Sequence, residues 1–528
     1  MAKVLITDNV HPICAETLQN AGLEVIEAIG ASESELKSIV PDIDAWVIRS
    51  GTQITSDLID AASRLRAIGR AGVGVDNVDI PAATRSGVMV INTPDGNTIS
   101  TAEHTCAMMM SLARRVPHAA ASMWGGKWDR KSFSGSELYG KTLGIVGVGK
   151  IGKAVAQRMQ AFDMDVLGFD PLLSAEHAEK LGITPVSFEE LMRRSDFVTV
   201  HAPLIDGTRG LINEASLALC RDGVCIINCA RGGIVIEEDL LRAIEAGKVA
   251  GAALDVYEIE PPGDSRSALI NHPRVVTTPH IAASTAEAQE RVARQVAEQI
   301  VNALDGRPVA SAVNAAAVKS AARPEIQPYI ELAALLGRVA AQLHDSPIKK
   351  IGVCCRGDLT RRFGDALLTS ATSGVLSERL TSPVNLVNAI TLAEDAGIPL
   401  SIEMDDAPAG YSEVISVRLF GATEEHEVSG AVFGGEDSRI IEIDGFHLEL
   451  RLRGQFLVYR NEDRPGMLAA VGDILARAGV NIGSMALGRS SEHEIALTGM
   501  LVDDEVTEET IRAIQSVRGV ERVNLLRV

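Results

Sequence analysis

Between Lys3 and about Asn92, short β-branched runs alternate with segments of helical period. KVLITD, LEVIEA, DAWVIRS, LRAIGRAG and VMVIN read as strands, and HPICAETLQNAG, SESELKSIV, SDLIDAAS and IPAATRSG read as helices between them. That alternation predicts a parallel sheet covered on both faces. A long helical pattern from about Ser100 to Arg115 carries the chain away. A second α/β unit then starts at KTLGIVGVGKIGKAVAQRMQAFDMDVLGFDP, with Ile151, Val155 and Phe162 predicted on one helix face, and runs through DFVTVHAPL, GVCIINCARGG, AGAALDVYE and VVTTPHIA. STAEAQERVARQVAEQIVNALDG is amphipathic, with Ala288, Val292, Val296 and Ile300 at i, i+4 spacing and Gly306 at its end. Its place after the second unit predicts a return to the first, so that one domain is inserted in another. RPVASAVNAAAVKSAAR, small and Pro-containing, marks a boundary. The stretch 323–450 mixes helical and strand patterns without a catalytic motif. In the last segment QFLVYRN, DRPGMLAAVGDILARAGV, NIGSMALGR, HEIALTGMLVD, EETIRAIQSVRG and VERVNLLRV follow the order βαββαβ, with Leu468, Val471 and Leu475 predicted on one helix face.

Composition narrows the class. The 528 residues imply three or four domains, and 46% hydrophobic residues supply sizeable cores. A net charge of −20 argues against duplex nucleic acid as a partner, because phosphate backbones need clustered positive charge. An anionic small molecule must be met by cations gathered locally. No apolar window reaches the ~18 residues of a spanning helix, and MAKVLITDNV reads as a strand rather than a leader, so no membrane association is expected. Cysteines 14, 106, 220, 225, 229, 354 and 355 show no CxxC spacing, which predicts buried reduced thiols in a cytoplasmic protein.

Gly147, Gly149 and Gly152 form GVGKIG between an apolar strand and a helix. The first glycine permits the turn, the second lets backbone approach a pyrophosphate, and the third lets helix and strand pack closely. Asp170 follows at the end of the next strand, where a carboxylate accepts from ribose hydroxyls and repels a 2′-phosphate. NAD is therefore expected rather than NADP. Arg231 in NCARGG, Glu260 in DVYEIEPP and His280 in TTPHIAAST all follow strands of the second unit. Oxidation of a hydroxy acid needs a base for the hydroxyl proton, an acidic partner for that base and a cation for the carboxylate; His280, Glu260 and Arg231 suit those roles. Singly, each has a bland reading as a surface charge or a turn residue. Arg49 in VIRSGT and Arg70 in GRAGVG end strands of the first unit and supply the kind of local cations an anionic small molecule needs. Lys127, Arg130 and Lys131, near Trp124 and Trp128, read as a solvated loop.

GRAGVGVDNVD, NTPDGNT, GIVGVGKIG, HAPL, NCARGGIV, AGAALDVYEIEPP, TPHIAAST and the terminal DRPGML occur in this order along the whole chain. Together they resemble the D-2-hydroxyacid dehydrogenases, and among them the long forms that oxidise 3-phospho-D-glycerate to 3-phosphooxypyruvate with NAD⁺ on the way to serine. The resemblance implies a Rossmann nucleotide-binding domain (99–286) inserted in a flavodoxin-like substrate-binding domain (1–98 plus 287–316). An α+β intervening domain (317–450) and a ferredoxin-like ACT regulatory domain (454–528) follow. It implies Arg231, Glu260 and His280 as catalytic residues, and Lys150, Ile151, Asp170, Ala202, Cys229, Ala230, Asp255 and His280 to Ala283, with Ala282 among them, as NAD contacts. Backbone N–H groups of Gly72, Val73 and Gly74 would join Arg231, Arg49 and Arg70 in holding 3-phosphoglycerate; Val73 stands where some members have Thr. Asn461, Asp463 and Asn481 match positions that contact an L-serine effector at a subunit interface in related domains, although NEDRPG replaces the HxNRPG pattern. A homotetramer is implied as well. The alternative is a glyoxylate or hydroxypyruvate reductase, against which the roughly 200 residues beyond the catalytic body count; a non-enzymatic NAD-sensing corepressor would call for a nuclear context that nothing in the sequence suggests.

Overall fold

The structure, a computed structural model, describes residues 1–263, 267–307, 309–321, 323–490 and 494–528. Pro308 and Ala322 of the expected boundary segment, and His493 at the head of the expected HEIALTGMLVD strand, lie outside the described residues. The chain divides into two compact units, one of Met1–Asn92 with Val296–Val528 and one of Thr93–Gln295.

The first unit begins with five parallel strands, β1 (Lys3–Ile6), β2 (Glu24–Glu27), β3 (Ala45–Ile48), β4 (Ala67–Arg70) and β5 (Met89–Ile91). Their order, β2-β1-β3-β4-β5, is flavodoxin-like, with helices such as Ile13–Asn20 and Ile80–Arg85 as crossovers. Val4, Trp46 and Ile68 are fully buried, as strands covered on both faces require. The helix Ala286–Leu304 returns the chain to this unit. Gly69 of β4 makes the contact possible, since a Cβ there would stand 2.6 Å from Val296 and 3.0 Å from Ile300.

The second unit carries β6 (Thr142–Val146), β7 (Asp165–Phe169), β8 (Thr184–Pro185), β9 (Phe197–Val200), β10 (Val224–Asn228), β11 (Val249–Leu254) and β12 (Val275–Thr277). Their parallel order, β12-β11-β10-β9-β6-β7-β8, is doubly wound with its switch point between β6 and β9. Phe162 does not share a face with Ile151 and Val155. The helix is Lys150–Gln160, Asp163 beyond it turns with φ +57°, and Met159 takes the buried position while Phe162 is 43% exposed.

The later part of the first unit holds β13 (Lys350–Arg356), β14 (Leu400–Asp405), β15 (Val414–Phe420), β16 (Glu425–Phe433), β17 (Asp437–Ile443) and β18 (Phe446–Arg451), ordered β14-β13-β15-β16-β17-β18. Only β13 and β14 run parallel among these pairs. Helices Gln327–Leu343 and Gly364–Ser377 share its core. They approach at two glycines: a Cβ on Gly337 would meet the Ala371 carbonyl oxygen at 2.2 Å, and one on Gly374 would meet that of Ala334 at 2.0 Å.

The last sheet, β19 (Gln455–Glu462), β20 (Ile482–Arg489), β21 (Ile495–Val502) and β22 (Val520–Arg527), is antiparallel in the order β20-β21-β19-β22, the split βαβ arrangement. In its helix Met467–Arg477 the buried stripe is Met467, Val471 and Leu475; Leu468, one position off that i, i+4 series, is 40% exposed.

Candidate active site

Strands β10, β11 and β12 lie side by side, so the loops that follow them emerge at one edge of the sheet. The β12 loop carries His280, whose backbone takes φ +52° and whose N–H donates to the Asp255 and Thr278 carbonyls at 2.9 and 3.1 Å. Its Nδ1 stands 2.6 Å from Glu260 Oε2. Glu260 Oε1 accepts from the Tyr257 N–H at 3.0 Å, so the carboxylate is held from both sides. Burial acts to raise the Glu260 carboxyl, but the His280 bond and the Tyr257 N–H outweigh it and leave it below the usual carboxylate value.

Asp255 underlies this arrangement. Its side chain is fully buried and accepts from Thr278 Oγ1 at 2.5 Å and from the Ile281 and Ala282 N–H groups at 2.9 Å each. His104 Nε2, from the helix Thr98–Arg114, lies 3.3 Å away. Burial acts to raise the Asp255 carboxyl, and these donors, His104 first, more than reverse it. The carboxylate is thus spent on shaping the His280–Ala283 loop. In NCARGG, the Asn228 side chain donates to the Arg231 carbonyl at 2.9 Å and accepts from the Ala230 N–H at 3.0 Å, which sets the turn that presents Arg231. Gly232 lies so close to the β11 loop that a Cβ would meet the Tyr257 oxygen at 1.7 Å. Cys229 is buried, with its thiol pushed up to about 12 by that burial, so its reactive form is suppressed.

At the switch point, Gly147 has φ +91°, and a Cβ there would meet the His201 oxygen at 2.7 Å, beside Ala202. A Cβ on Gly152 would meet the Gly147 oxygen at 2.2 Å, whereas one on Gly149 would meet nothing within 4 Å. The first and third glycines therefore seat the helix Lys150–Gln160 against the sheet, and the second leaves an open approach to the helix start. Asp170 Oδ2 accepts from the Val148 N–H at 2.9 Å and Oδ1 from the Leu172 N–H at 2.8 Å, which aims the carboxylate beside that approach. Lys150 pairs with Asp95, and Ile151 is half-buried behind it. A glycine cradle with an oriented carboxylate at the end of the second strand fits a dinucleotide.

In the first unit, Asp8 accepts from the N–H groups of Arg49, Gly51 and Thr52 at 2.6, 3.2 and 3.2 Å. Asn77 donates to the Arg49 and Thr52 carbonyls at 2.7 and 2.6 Å, and Arg49 Nη1 donates to the Asn9 carbonyl at 3.2 Å. The Arg70 guanidinium lies over Gly72, where a Cβ would meet Nη1 at 2.1 Å, and Asn92 donates to the Val73 carbonyl at 2.6 Å. Gly74 follows in the same loop. Sequence reasoning missed His104, which meets the Asp255 and Thr278 side chains, and Asn228, Asn77 and Asp8, which orient backbone. Trp124 and Trp128, beside the Lys127, Arg130 and Lys131 cluster, are 85% and 78% exposed.

The last sheet separates the effector candidates. Asn461 pairs with Ala496 at one end of β21, whereas Ile482, next to Asn481, pairs with Val502 at the other. That span is about 20 Å along the strand. Asn461 donates to the Glu462 carbonyl at 2.6 Å, Asp463 meets Arg489 at 3.0 Å, and Asn481 donates to Asp503 at 2.6 Å. One chain does not bring the three together.

Comparison with known proteins gives three family matches: D-isomer specific 2-hydroxyacid dehydrogenase, NAD binding domain, over residues 106–282; D-3-phosphoglycerate dehydrogenase intervening domain over 325–444; and ACT domain over 456–519. D-3-phosphoglycerate dehydrogenase of Bacillus subtilis (strain 168) is 39% identical over 526 residues, covering 100% of this chain and 99% of its own. That of Homo sapiens is 42% identical over 507 residues, covering 94% of each. Among solved structures, D-lactate dehydrogenase from Aquifex aeolicus complexed with NAD and lactic acid is similar with a TM-score of 0.52 and 29% identity, covering 57% of this chain and 96% of that one. A glyoxylate reductase from Paecilomyes thermophila has a TM-score of 0.55 and 31% identity, covering 59% of this chain and 98% of that one. Among the described residues no helix is long and apolar enough to cross a membrane. With relatives of this identity along its whole length and an NAD-binding domain around the His280 and Glu260 pair, the chain belongs to the D-3-phosphoglycerate dehydrogenase family of NAD-dependent oxidoreductases.

Proposed function

We propose that the chain oxidises the C2 hydroxyl of 3-phospho-D-glycerate to 3-phosphooxypyruvate, the entry step of phosphorylated serine synthesis, with His280, Glu260 and Arg231 as catalytic residues. The observation that carries this is the 2.6 Å contact between His280 Nδ1 and Glu260 Oε2. With Nδ1–H donated to the carboxylate, Nε2 is left as a lone pair to take the hydroxyl proton. Glu260 then stabilises the imidazolium, and Arg231 holds the substrate carboxylate as a bidentate cation. NAD⁺, when bound, would supply the acceptor for the hydride leaving C2. Gly147, Gly149, Lys150, Ile151, Gly152, Asp170, Ala202, Cys229, Ala230, Ala282 and Ala283 would hold the dinucleotide, Cys229 through its backbone, and Asp255 holds the loop that carries His280. Arg49, Arg70 and the Gly72–Val73–Gly74 backbone take the distal phosphate and its neighbours.

We divide the chain by role into a substrate domain (1–98 with 287–316), a nucleotide domain (99–286), an intervening domain (317–450) and a regulatory domain (454–528). L-Serine acts through the last of these in a cytoplasmic homotetramer. Because Asn461 and Asn481 lie beside opposite ends of β21, a serine contacted by both is shared between two copies. The experiment is NAD-dependent turnover of 3-phospho-D-glycerate, with glyoxylate and hydroxypyruvate reduction as rivals, each with and without L-serine. Preference for 3-phospho-D-glycerate supports the reading. Turnover confined to glyoxylate refutes it, and serine inhibition unchanged in Asn481→Ala removes Asn481 from the effector site.

A further inference from the structure

The helix Gln327–Leu343 ends against the start of β16, and at that junction His344, Glu424 and His426 converge. Among the described residues they form a group in which one ligand atom from each lies within 4.8 Å of the others. The His344 side chain is fully buried and that of His426 is 11% exposed. His344 Nδ1 and His426 Nε2 are both buried without a hydrogen-bond partner. They stand 3.8 and 3.5 Å from the two oxygens of Glu424. Buried ring nitrogens without partners are costly, and two of them facing one carboxylate suit a shared ligand.

The other ring nitrogens are occupied in the way that frees these two. His426 Nδ1 faces Asp444 Oδ2 at 2.8 Å, and Asp444 is itself fixed by the Glu427 N–H at 2.9 Å. This is the carboxylate–imidazole pairing that sets the tautomer of a metal-bound histidine. His344 Nε2 faces Ser346 Oγ at 3.1 Å. Glu424 Oε1 accepts from the Asp345 and Ser346 N–H groups at 2.9 and 2.5 Å, which leaves Oε2 facing His426. Gly421 makes room for the arrangement, since a Cβ there would meet Ser346 Oγ at 2.2 Å and the His344 ring at 2.8 Å. Two arginines border the group: Arg522 donates to the Leu343 carbonyl at 2.5 Å and to Asp345 at 2.7 Å, with its Nη1 3.9 Å from Glu424 Oε2, and Arg379 donates to the Ala341 carbonyl at 2.9 Å and to the His344 carbonyl.

We propose that His344 Nδ1, His426 Nε2 and Glu424 form a three-ligand site for a divalent transition metal of the zinc class, distinct from the dehydrogenase centre. Two imidazoles and one carboxylate are a ligand set that zinc accepts, with a fourth position for water or a small ligand. Metal–ligand bonds of about 2.0–2.1 Å place tetrahedral ligand atoms about 3.4 Å apart, and the three ligand atoms here, all within 4.8 Å of one another, close to that spacing by small side-chain shifts. Arg522 belongs to β22 and Glu424 leads into β16, so the metal sits where the intervening sheet meets the terminal one. Occupancy should therefore stabilise both together.

The test is Zn²⁺ binding by the full chain after chelation and removal of the chelator, by equilibrium dialysis, with the thermal midpoint followed with and without Zn²⁺. One equivalent per chain and a raised midpoint are expected, both lost in His426→Gln and His344→Gln. Asp444→Asn keeps all three ligands and should bind about 10- to 100-fold more weakly. Co²⁺ bound at this site should show ligand-field absorption without thiolate charge transfer. Failure of the wild-type chain to bind Zn²⁺, binding in the histidine variants equal to wild type, or Asp444→Asn binding as tightly as wild type would each overturn the site.

Discussion

The proposed base, His280, has its backbone in the left-handed region, and the Asp255 carboxylate fixes the two residues that follow it. Without that carboxylate the Thr278 hydroxyl and the Ile281 and Ala282 N–H groups lose their acceptor. Asp255→Ala should cost about 1–3 kcal/mol for each donor left unpaired, less any that water reaches, and should lower turnover through misplacement of His280. Because the folded Asp255 carboxyl lies below its ordinary value, its stabilisation is complete above about pH 4, the unfolded value, and fades as pH falls through the lower folded value. The melting-temperature gap between wild type and Asp255→Ala should therefore be constant from pH 7 down to about 5 and shrink below about pH 4. At this scale the placement of Arg231, Glu260 and His280 after strand ends, and the pairing of the last two, were legible, because each stands in a motif with its own residues. His104 was not: it lies far from Asp255 in sequence, and one histidine on an apolar helix carries no sign of its partner. Asn228 and Asn77 were hidden in the same way, since their work is done on backbone carbonyls.

Elements follow from local spacing wherever one face or one run decides them. The strands of the first two sheets were readable as apolar runs between turns. The edge strand Thr184–Pro185 was not, being two exposed residues with a proline. In 323–450 the helix Gln327–Leu343 buries residues on most of its circumference, so its periodicity is blurred, and its close approach to Gly364–Ser377 rests on Gly337 and Gly374. The dinucleotide turn separates two glycine functions that the motif alone merges. Gly152→Ala should lower stability by about 1–3 kcal/mol, because the Cβ is forced into a carbonyl. Gly149→Ala meets open space, so its melting temperature should stay near wild type while NAD affinity falls. Fluorescence titration with NADH and thermal melts distinguish the two; equal loss of stability in both variants would contradict this division.

For the whole chain, a net charge of −20 leaves recognition of an anionic substrate to local cations. Arg49 and Arg70 are presented by neighbouring strands β3 and β4 of the first sheet. Arg70→Ala should raise KM for 3-phospho-D-glycerate by about 10- to 100-fold, the worth of one charge-assisted hydrogen bond, with little effect on an unphosphorylated 2-hydroxy acid; an equal change for both would place Arg70 away from the phosphate. Insertion of one unit into another was legible because the helix Ala286–Leu304 follows the last strand of the second unit and carries the apolar stripe that packs on Gly69. The distance between Asn461 and Asn481 was not, since pairing register within a sheet is a tertiary outcome. In the proposed reaction His280, poised by Glu260, takes the substrate proton. Its most direct test is kcat for 3-phospho-D-glycerate and the Kd for NADH in His280→Ala. A fall in kcat of about 100- to 10,000-fold with NADH affinity within a few-fold of wild type is expected, whereas near-normal turnover would contradict the claim.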